Sequence, residues 1–120
     1  MLGRVAGMPV LLLTTTGRRS GRRRTTPLTF LRDGDALVLV ASAGGSDRPP
    51  AWSLNLVAEP RAAVRVARSA MEVTARVASP SERARLWPAI VATYPGYARY
   101  QSRTAREIAV LLLTPLSLRP

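Results

Sequence analysis

The chain has 120 residues and a formal net charge of +11, and it contains neither cysteine nor histidine. One domain of that length buries about two-thirds of its unfolded surface and needs no staples. Disulfides, thiolate metal sites and histidine bases are excluded and no metal site is expected, so any chemistry must run on hydroxyls, tyrosines, the few carboxylates or a cofactor.

All eighteen basic residues are arginine. Arginine presents a rigid donor fork that matches carboxylates and phosphates, which points to an anionic partner. A chain rich throughout in Arg, Ala, Val and Pro gives the same total by composition alone, so the placement of the arginines matters more than their number. No apolar run approaches the ~20 residues of a membrane span. The start, MLGRVAGMPVLLLTTT, has a short apolar core and one arginine, and suits a first strand better than a signal peptide. A cytoplasmic location is expected.

In chain order, residues 9–16 (PVLLLTTT) suit a buried strand. Gly17 and Gly21 mark the stretch GRRSGRRR as a turn. Residues 25–31 (TTPLTFL) read as a second strand, and Asp33-Gly34-Asp35 is a hairpin signal. Residues 36–41 (ALVLVA) form a third strand, apolar on both faces, followed by a loop over 42–50. A short helix is expected from Ala51 to Ala58, stopped by Pro60. Residues 62–67 and 71–77 alternate as two more strands, the second with Met71, Val73, Ala75 and Val77 inward. Ser79, Pro80 and Glu82 form a capping box that opens a helix carrying Leu86, Ile90 and Val91. Pro95-Gly96 breaks it, and residues 107–114 (EIAVLLLT) are the last strand. About six strands without βαβ alternation favour a mainly β fold, a closed antiparallel barrel with helical insertions.

Four segments carry the candidate chemistry. The turn Gly17–Arg24 packs five arginines into eight residues, and its glycines let the backbone approach a ligand. Its amides can form an anion-binding nest; a solvated loop is the plain alternative. Ser42-Ala43-Gly44-Gly45, at a strand end, suits a flat ligand or an ordinary flexible loop. In Ala51-Trp52-Ser53-Leu54-Asn55-Leu56, Trp52 reads as core, and Asn55, the only asparagine, ties a loop or a ligand. Tyr94, Tyr97 and Tyr100 are all the tyrosines of the chain. They read equally as a packed lid and as a source of a phenol that donates a proton to a substrate oxygen.

Taken in this order, LLLTTTGRRSG with TTPL after it, LRDGD, VASAGG, PAWSLNL with AEP after it, and YPGYARYQSRTAREI resemble the deazaflavin-dependent nitroreductases, also described as F420H2-dependent quinone reductases. The resemblance runs from about Pro9 to Pro115. It implies a split β-barrel of the flavin-binding type, one domain over residues 1–120, often dimeric, with a start shorter than the helical extension members usually carry. It implies coenzyme F420, a flat deazaflavin with a phosphate and an oligoglutamate tail. Arg18, Arg19, Ser20 and Arg24 would hold its anionic part. Thr25, Thr26 and Pro27 on the next strand, Val40, Ala41, Ser42 and Ala43 at the strand end, and Ala51, Trp52 and Asn55 on the helix would line the rest. Ser42 and Tyr97 would stand nearest the acceptor, polarising or protonating its oxygen.

The implied reaction is hydride transfer from the reduced deazaflavin to a quinone, nitroaromatic or enone-like acceptor. Ser53 stands where many members have Tyr, Ala43 where some have Lys and Thr29 where some have an aromatic, which implies a more open acceptor pocket with one cation fewer. No nucleic acid is expected as a partner, and peripheral membrane contact stays open. The competing readings are a split barrel for FMN or haem, a non-catalytic F420 binder, and a basic nucleic-acid module. That last reading rests on charge alone, and aromatics at 5% make a thin stacking platform.

Overall fold

The computed structural model describes Arg4–Val5 and residues 8–116. The remainder of the expected start, residues 1–3 and 6–7, lies outside the described residues. Eight strand segments occur in chain order with three helices among them: β1 (Arg4–Val5), β2 (Met8–Thr16), β3 (Arg23–Thr29), β4 (Leu31–Asp33), β5 (Ala36–Val40), α1 (Ala51–Ala58), β6 (Arg61–Val66), β7 (Ser69–Val77), α2 (Pro80–Thr93), α3 (Gly96–Ser102) and β8 (Val110–Pro115). All pairings are antiparallel. The sheet runs β1-β2-β6-β7-β8-β5-β4, with β3 also paired to β2.

The mainly β architecture agrees with the sequence, but the strand count rises. The expected strand over 25–31 is two strands, separated by Phe30. Thr29 is the last β3 residue paired to β2, opposite Val10, and Leu31 is the first β4 residue paired to β5, opposite Val38. β3 and β4 are therefore opposite ends of the curled sheet, joined by the chain and not by a ladder, so the barrel is split and not closed. β3 pairs with one neighbour only, which is why it tolerates Pro27. The two-residue turn at Gly34-Asp35 joins β4 to β5 as expected, with Gly34 at φ +59°.

Two cores form on opposite faces of β5 and β8. Inside the barrel, Leu11, Leu13, Phe30, Leu37, Leu39, Trp52, Leu56, Val64, Val73, Leu111 and Leu113 pack together. Outside it, Ala36, Val38, Val40, Val110 and Leu112 are covered by Leu86 and Ile90 of α2 and Tyr97 of α3. This double burial is why ALVLV is apolar at every position: successive side chains point to opposite faces, and both faces are dry. The same alternation puts Met71, Val73 and Ala75 on or beside the inner core. Val77, expected there, is 49% exposed, because β7 ends at that residue and the chain leaves for α2. The last strand starts at Val110 and not at 107, since Arg106 and Ile108 are drawn into contacts with the loop and α2.

The helix boundaries follow the local signals. α1 begins after Pro50 and ends before Pro60. The capping box of α2 is complete: the Glu82 N–H donates to Ser79 Oγ at 3.3 Å, and the Ser79 N–H donates to Glu82 Oε1 at 2.9 Å. Arg76 of β7 grips the same carboxylate, with N–O distances of 2.6 and 2.7 Å. Arg76 and the Ser79 amide hold the Glu82 carboxyl down at about 2, below its ordinary 4.5. A lowered pKa contributes stability that is complete above the unfolded value near 4.5 and is lost as pH falls toward 2. Urea unfolding between pH 5 and 2 should therefore show a shallower acid loss in Glu82→Gln than in the wild type. At pH 7, Ser79→Ala should cost about 1 kcal/mol through the lost cap.

Candidate functional site

Trp52, packed in the core, lines two cavities. The first, about 360 Å³, opens at the split in the barrel. Its walls are Pro27, Leu28 and Thr29 of β3, Leu39 and Val40 of β5, the Ser42–Gly44 turn, Pro50, and the three tyrosines. β3 and β5 are not ladder neighbours, so the space between them needs no strand to fill it.

The second cavity, about 470 Å³, lies under the arginine-rich turn. Gly17 closes that turn twice: its N–H donates to the Arg22 carbonyl at 2.7 Å and its carbonyl accepts from the Gly21 N–H at 2.8 Å. Gly21 sits at φ +72°, a region that disfavours other residues. Asn55 pins the turn to α1. Its Oδ1 accepts from the Arg18 N–H at 3.1 Å, and its Nδ2 donates to Thr15 Oγ1 at 3.2 Å. Asn55 and Thr15 are both buried. Arg18, Arg19, Ser20, Arg24, Thr25 and Thr26 line the cavity with Ala51, Trp52 and Asn55.

Charge is unevenly spent. Among the described residues the ion pairs are Arg61–Glu72, Arg76–Glu82, Arg83–Glu107 and Arg85–Asp33, and none involves an arginine of the 18–24 turn. Cavity two therefore has cationic walls with no carboxylate partner, the condition for binding an anion.

In cavity one the Tyr97 ring is buried at 6% exposure, and its hydroxyl shares a 2.9 Å hydrogen bond with Thr29 Oγ1. Tyr94 and Tyr100 meet that ring edge-on, with centroids 5.2 and 5.9 Å away. Burial raises the Tyr97 phenol above its ordinary 10, outweighing the opposing effect of the Thr29 bond. Tyr97 therefore stays protonated across neutral pH, as a donor and not a base.

The structure brings together nearly all the residues singled out in the sequence. Nine line the cationic cavity, and Pro27, Val40, Ser42, Ala43 and Tyr97 line the other. Ala41 is the exception. It is fully buried in the barrel core and lines neither cavity, because the strand alternation turns it inward with Leu37 and Leu39. Leu28, Thr29, Leu39, Pro50, Tyr94 and Tyr100 also line the first cavity. The tyrosine cluster was visible as a motif, whereas Leu28 and Leu39 look like any core residue in a strand.

The family model for F420H(2)-dependent quinone reductase matches residues 1–115. The chain belongs to the F420H2-dependent quinone reductase family. An F420H(2)-dependent quinone reductase of Mycobacterium tuberculosis (strain ATCC 25618 / H37Rv) is 45% identical over 109 residues, covering 88% of this chain and 73% of the relative. The solved structure of an F420-H2 dependent reductase (FDR-A) superposes with a TM-score of 0.79 at 37% identity, covering 88% of this chain and 93% of that one. A second structure, described as a domain-swapped dimer, has the same TM-score and identity and covers 88% and 79%. Membership makes the chain an F420H2-dependent reductase with coenzyme F420 as cofactor, and it disfavours the FMN, haem and nucleic-acid readings. The residues fit that coenzyme: an aromatic-walled cavity suits a flat ring, and nearby arginines without a carboxylate partner among the described residues suit a phosphate and an anionic tail.

Asn55 ties the arginine-rich turn to α1 and is buried with Thr15, one of its two partners. Asn55→Ala should lower stability in urea by about 1 kcal/mol, since it removes the buried hydrogen bond to Thr15 and frees the Arg18 N–H.

Proposed function

We propose that the deazaflavin ring lies in the tyrosine-lined cavity and the phosphate and oligoglutamate tail lie on the arginine-rich turn, with a quinone reduced at the open mouth of the first cavity. The observation that carries this reading is that Trp52 lines both cavities, one walled by the three tyrosines and the other by arginines with no carboxylate partner among the described residues. In this assignment Arg18, Arg19, Ser20 and Arg24 bind the anionic part. Thr25, Thr26, Pro27, Val40, Ser42, Ala43, Ala51, Trp52 and Asn55 shape the binding surface. The bound coenzyme, when reduced, supplies the hydride.

The chain's own residues orient the reactants, exclude water and supply a proton. Ser42 and Tyr97 both line the ring cavity and offer hydroxyls to an acceptor oxygen. If Thr29 donates to the Tyr97 oxygen across their 2.9 Å bond, the phenolic proton is left for the substrate. Thr29 thus orients the donor at a position where some family members have an aromatic. The smaller residue leaves room, so nitroaromatic acceptors belong to the same proposal. A homodimer is also proposed, supported by the neighbour described as a domain-swapped dimer; light scattering at twice the chain mass would bear it out. The proposed site of action is the cytoplasm, which cell fractionation tests.

Replacing Arg18 and Arg19 together by Ala should weaken F420 binding by at least tenfold in a fluorescence titration, since charge-assisted bonds contribute about 1.5–3 kcal/mol each. FMN, which lacks the acidic tail, should lose far less; equal losses would remove the turn from the tail site. Tyr97→Phe should keep F420 affinity and slow quinone reduction by roughly 10²-fold or more, as loss of a general acid does. Because burial raises the phenol, the Tyr97-dependent rate should persist up to pH 10. Unchanged turnover in Tyr97→Phe would mean that water delivers the proton.

A further inference from the structure

The turn from Ser42 to Gly45 bounds the ring cavity, and its backbone is unusual. Ser42 lies in the right-handed helical region at φ −80°, ψ −37°. Ala43, Gly44 and Gly45 follow at φ +46°, +65° and +85°. A non-glycine residue at positive φ persists only where its surroundings hold it. A right-handed residue followed by left-handed ones gathers successive amides into a concave nest. Among the described residues, no hydrogen bond engages the N–H of Ser42, Ala43 or Gly44, whereas the Gly45 and Ser46 amides are used within the turn.

One side chain grips this loop from below. The Arg106 guanidinium donates Nη1 to the Ala41 carbonyl at 3.1 Å and Nη2 to the Ser42 carbonyl at 3.0 Å. It also donates Nε to the Ser46 carbonyl at 2.9 Å and Nη2 to the Arg48 carbonyl at 3.4 Å. No carboxylate pairs with it among the described residues. Its own backbone is held in turn: the Arg106 carbonyl accepts from Gln101 Nε2 at 2.7 Å. The loop also presses on α3 so tightly that a Cβ on Gly45 would meet the Tyr100 carbonyl oxygen at 2.7 Å. A guanidinium has five donors in a planar fork and can bridge four carbonyls spread over eight residues; a lysine ammonium cannot.

We propose that Arg106 is a positioning residue for coenzyme binding: by bridging the carbonyls of Ala41, Ser42, Ser46 and Arg48, it locks the Ser42–Gly45 turn in the shape that offers the Ser42, Ala43 and Gly44 amides to an oxygen acceptor on the ring. The inference rests on the placement of the ring in the tyrosine-lined cavity. It assigns Arg106 a role at the ring end, quite separate from the tail-binding arginines.

The test compares two ligands on the full chain: F420, and the deazaflavin riboside that lacks the phosphate and oligoglutamate. Arg106→Lys should keep the wild-type circular dichroism and bind both ligands at least tenfold more weakly, by the same factor. The Arg18→Ala/Arg19→Ala variant should weaken F420 alone. Added methylguanidinium should restore ring binding to Arg106→Ala. A folded Arg106→Lys with wild-type affinity for the riboside overturns the inference. Should the variants not fold, hydrogen exchange on the wild type decides: the Ser42, Ala43 and Gly44 amides should slow by at least tenfold under saturating F420, and unchanged exchange overturns it. Failure of the wild type to bind F420 would overturn the cofactor placement and this inference with it, whereas wild-type binding with unaffected variants overturns this inference alone.

Discussion

Phe30 holds the two ends of the sheet together while belonging to neither ladder. Its ring is almost wholly buried in the barrel core, and its N–H donates to the Pro9 carbonyl at 3.1 Å. One residue earlier the chain still pairs with β2, and one residue later it pairs with β5. The sheet must therefore part at this point, beside the tyrosine-lined cavity. Truncating Phe30 would remove the apolar anchor that lets the seam exist without collapse, a loss of the order of 3–5 kcal/mol for a buried Phe. The tyrosine-lined cavity, the exposed edge of β3 and the position of Thr29 opposite Tyr97 all depend on that one crossing.

The distribution of charge follows a second constraint. The chain has only seven carboxylates. Four of them pair with arginines of the scaffold, at Asp33, Glu72, Glu82 and Glu107. These pairs are mostly solvent-exposed, so each contributes little to stability, and Arg76–Glu82 matters chiefly because it coincides with a helix cap. The turn that faces the second cavity is left without partners. A cluster of like charges is tolerable there because it is exposed and because Gly17, Gly21 and Asn55 fix the backbone, leaving the side chains to spread.

Two arginines show how one side-chain type serves different ends. Arg83 stacks on the Trp87 ring at 4.4 Å and donates to the Ile108 carbonyl and to Gln101 Oε1, tying α2 to α3 and to the segment that leads into β8. Arg106 spends its donors on the carbonyls of a loop. Arg106 is held by neutral acceptors alone among the described residues, so salt would weaken its grip less than it weakens the surface pairs, whereas Arg83 also pairs with Glu107. The tyrosine helix thus rests on a frame of guanidinium contacts on one side and on the outer core of β5 and β8 on the other.

The elements with strong local signals were legible from the residues alone. The capping box at Ser79, the prolines around α1, the Gly34 turn and the two dry faces of β5 are decided within a few positions, by hydrogen-bond supply and side-chain alternation. The ordered motifs sufficed for the cofactor class through their resemblance to the family, which the family match bears out. Other features were settled only when distant segments met. Nothing local separates Thr29 from Leu31, so the break at Phe30 was invisible, and the split itself was expected only through the family resemblance. The inward turn of Ala41, the exposure of Val77 and the four-carbonyl grip of Arg106, 58 residues from Arg48, were likewise invisible. The sequence by itself determined which turns, caps and apolar faces would form, since those depend on neighbours along the chain. The tertiary structure alone decided which strand ends stay unpaired and which side chains meet across the gap, because those depend on how the sheet curls and where its ladder runs out.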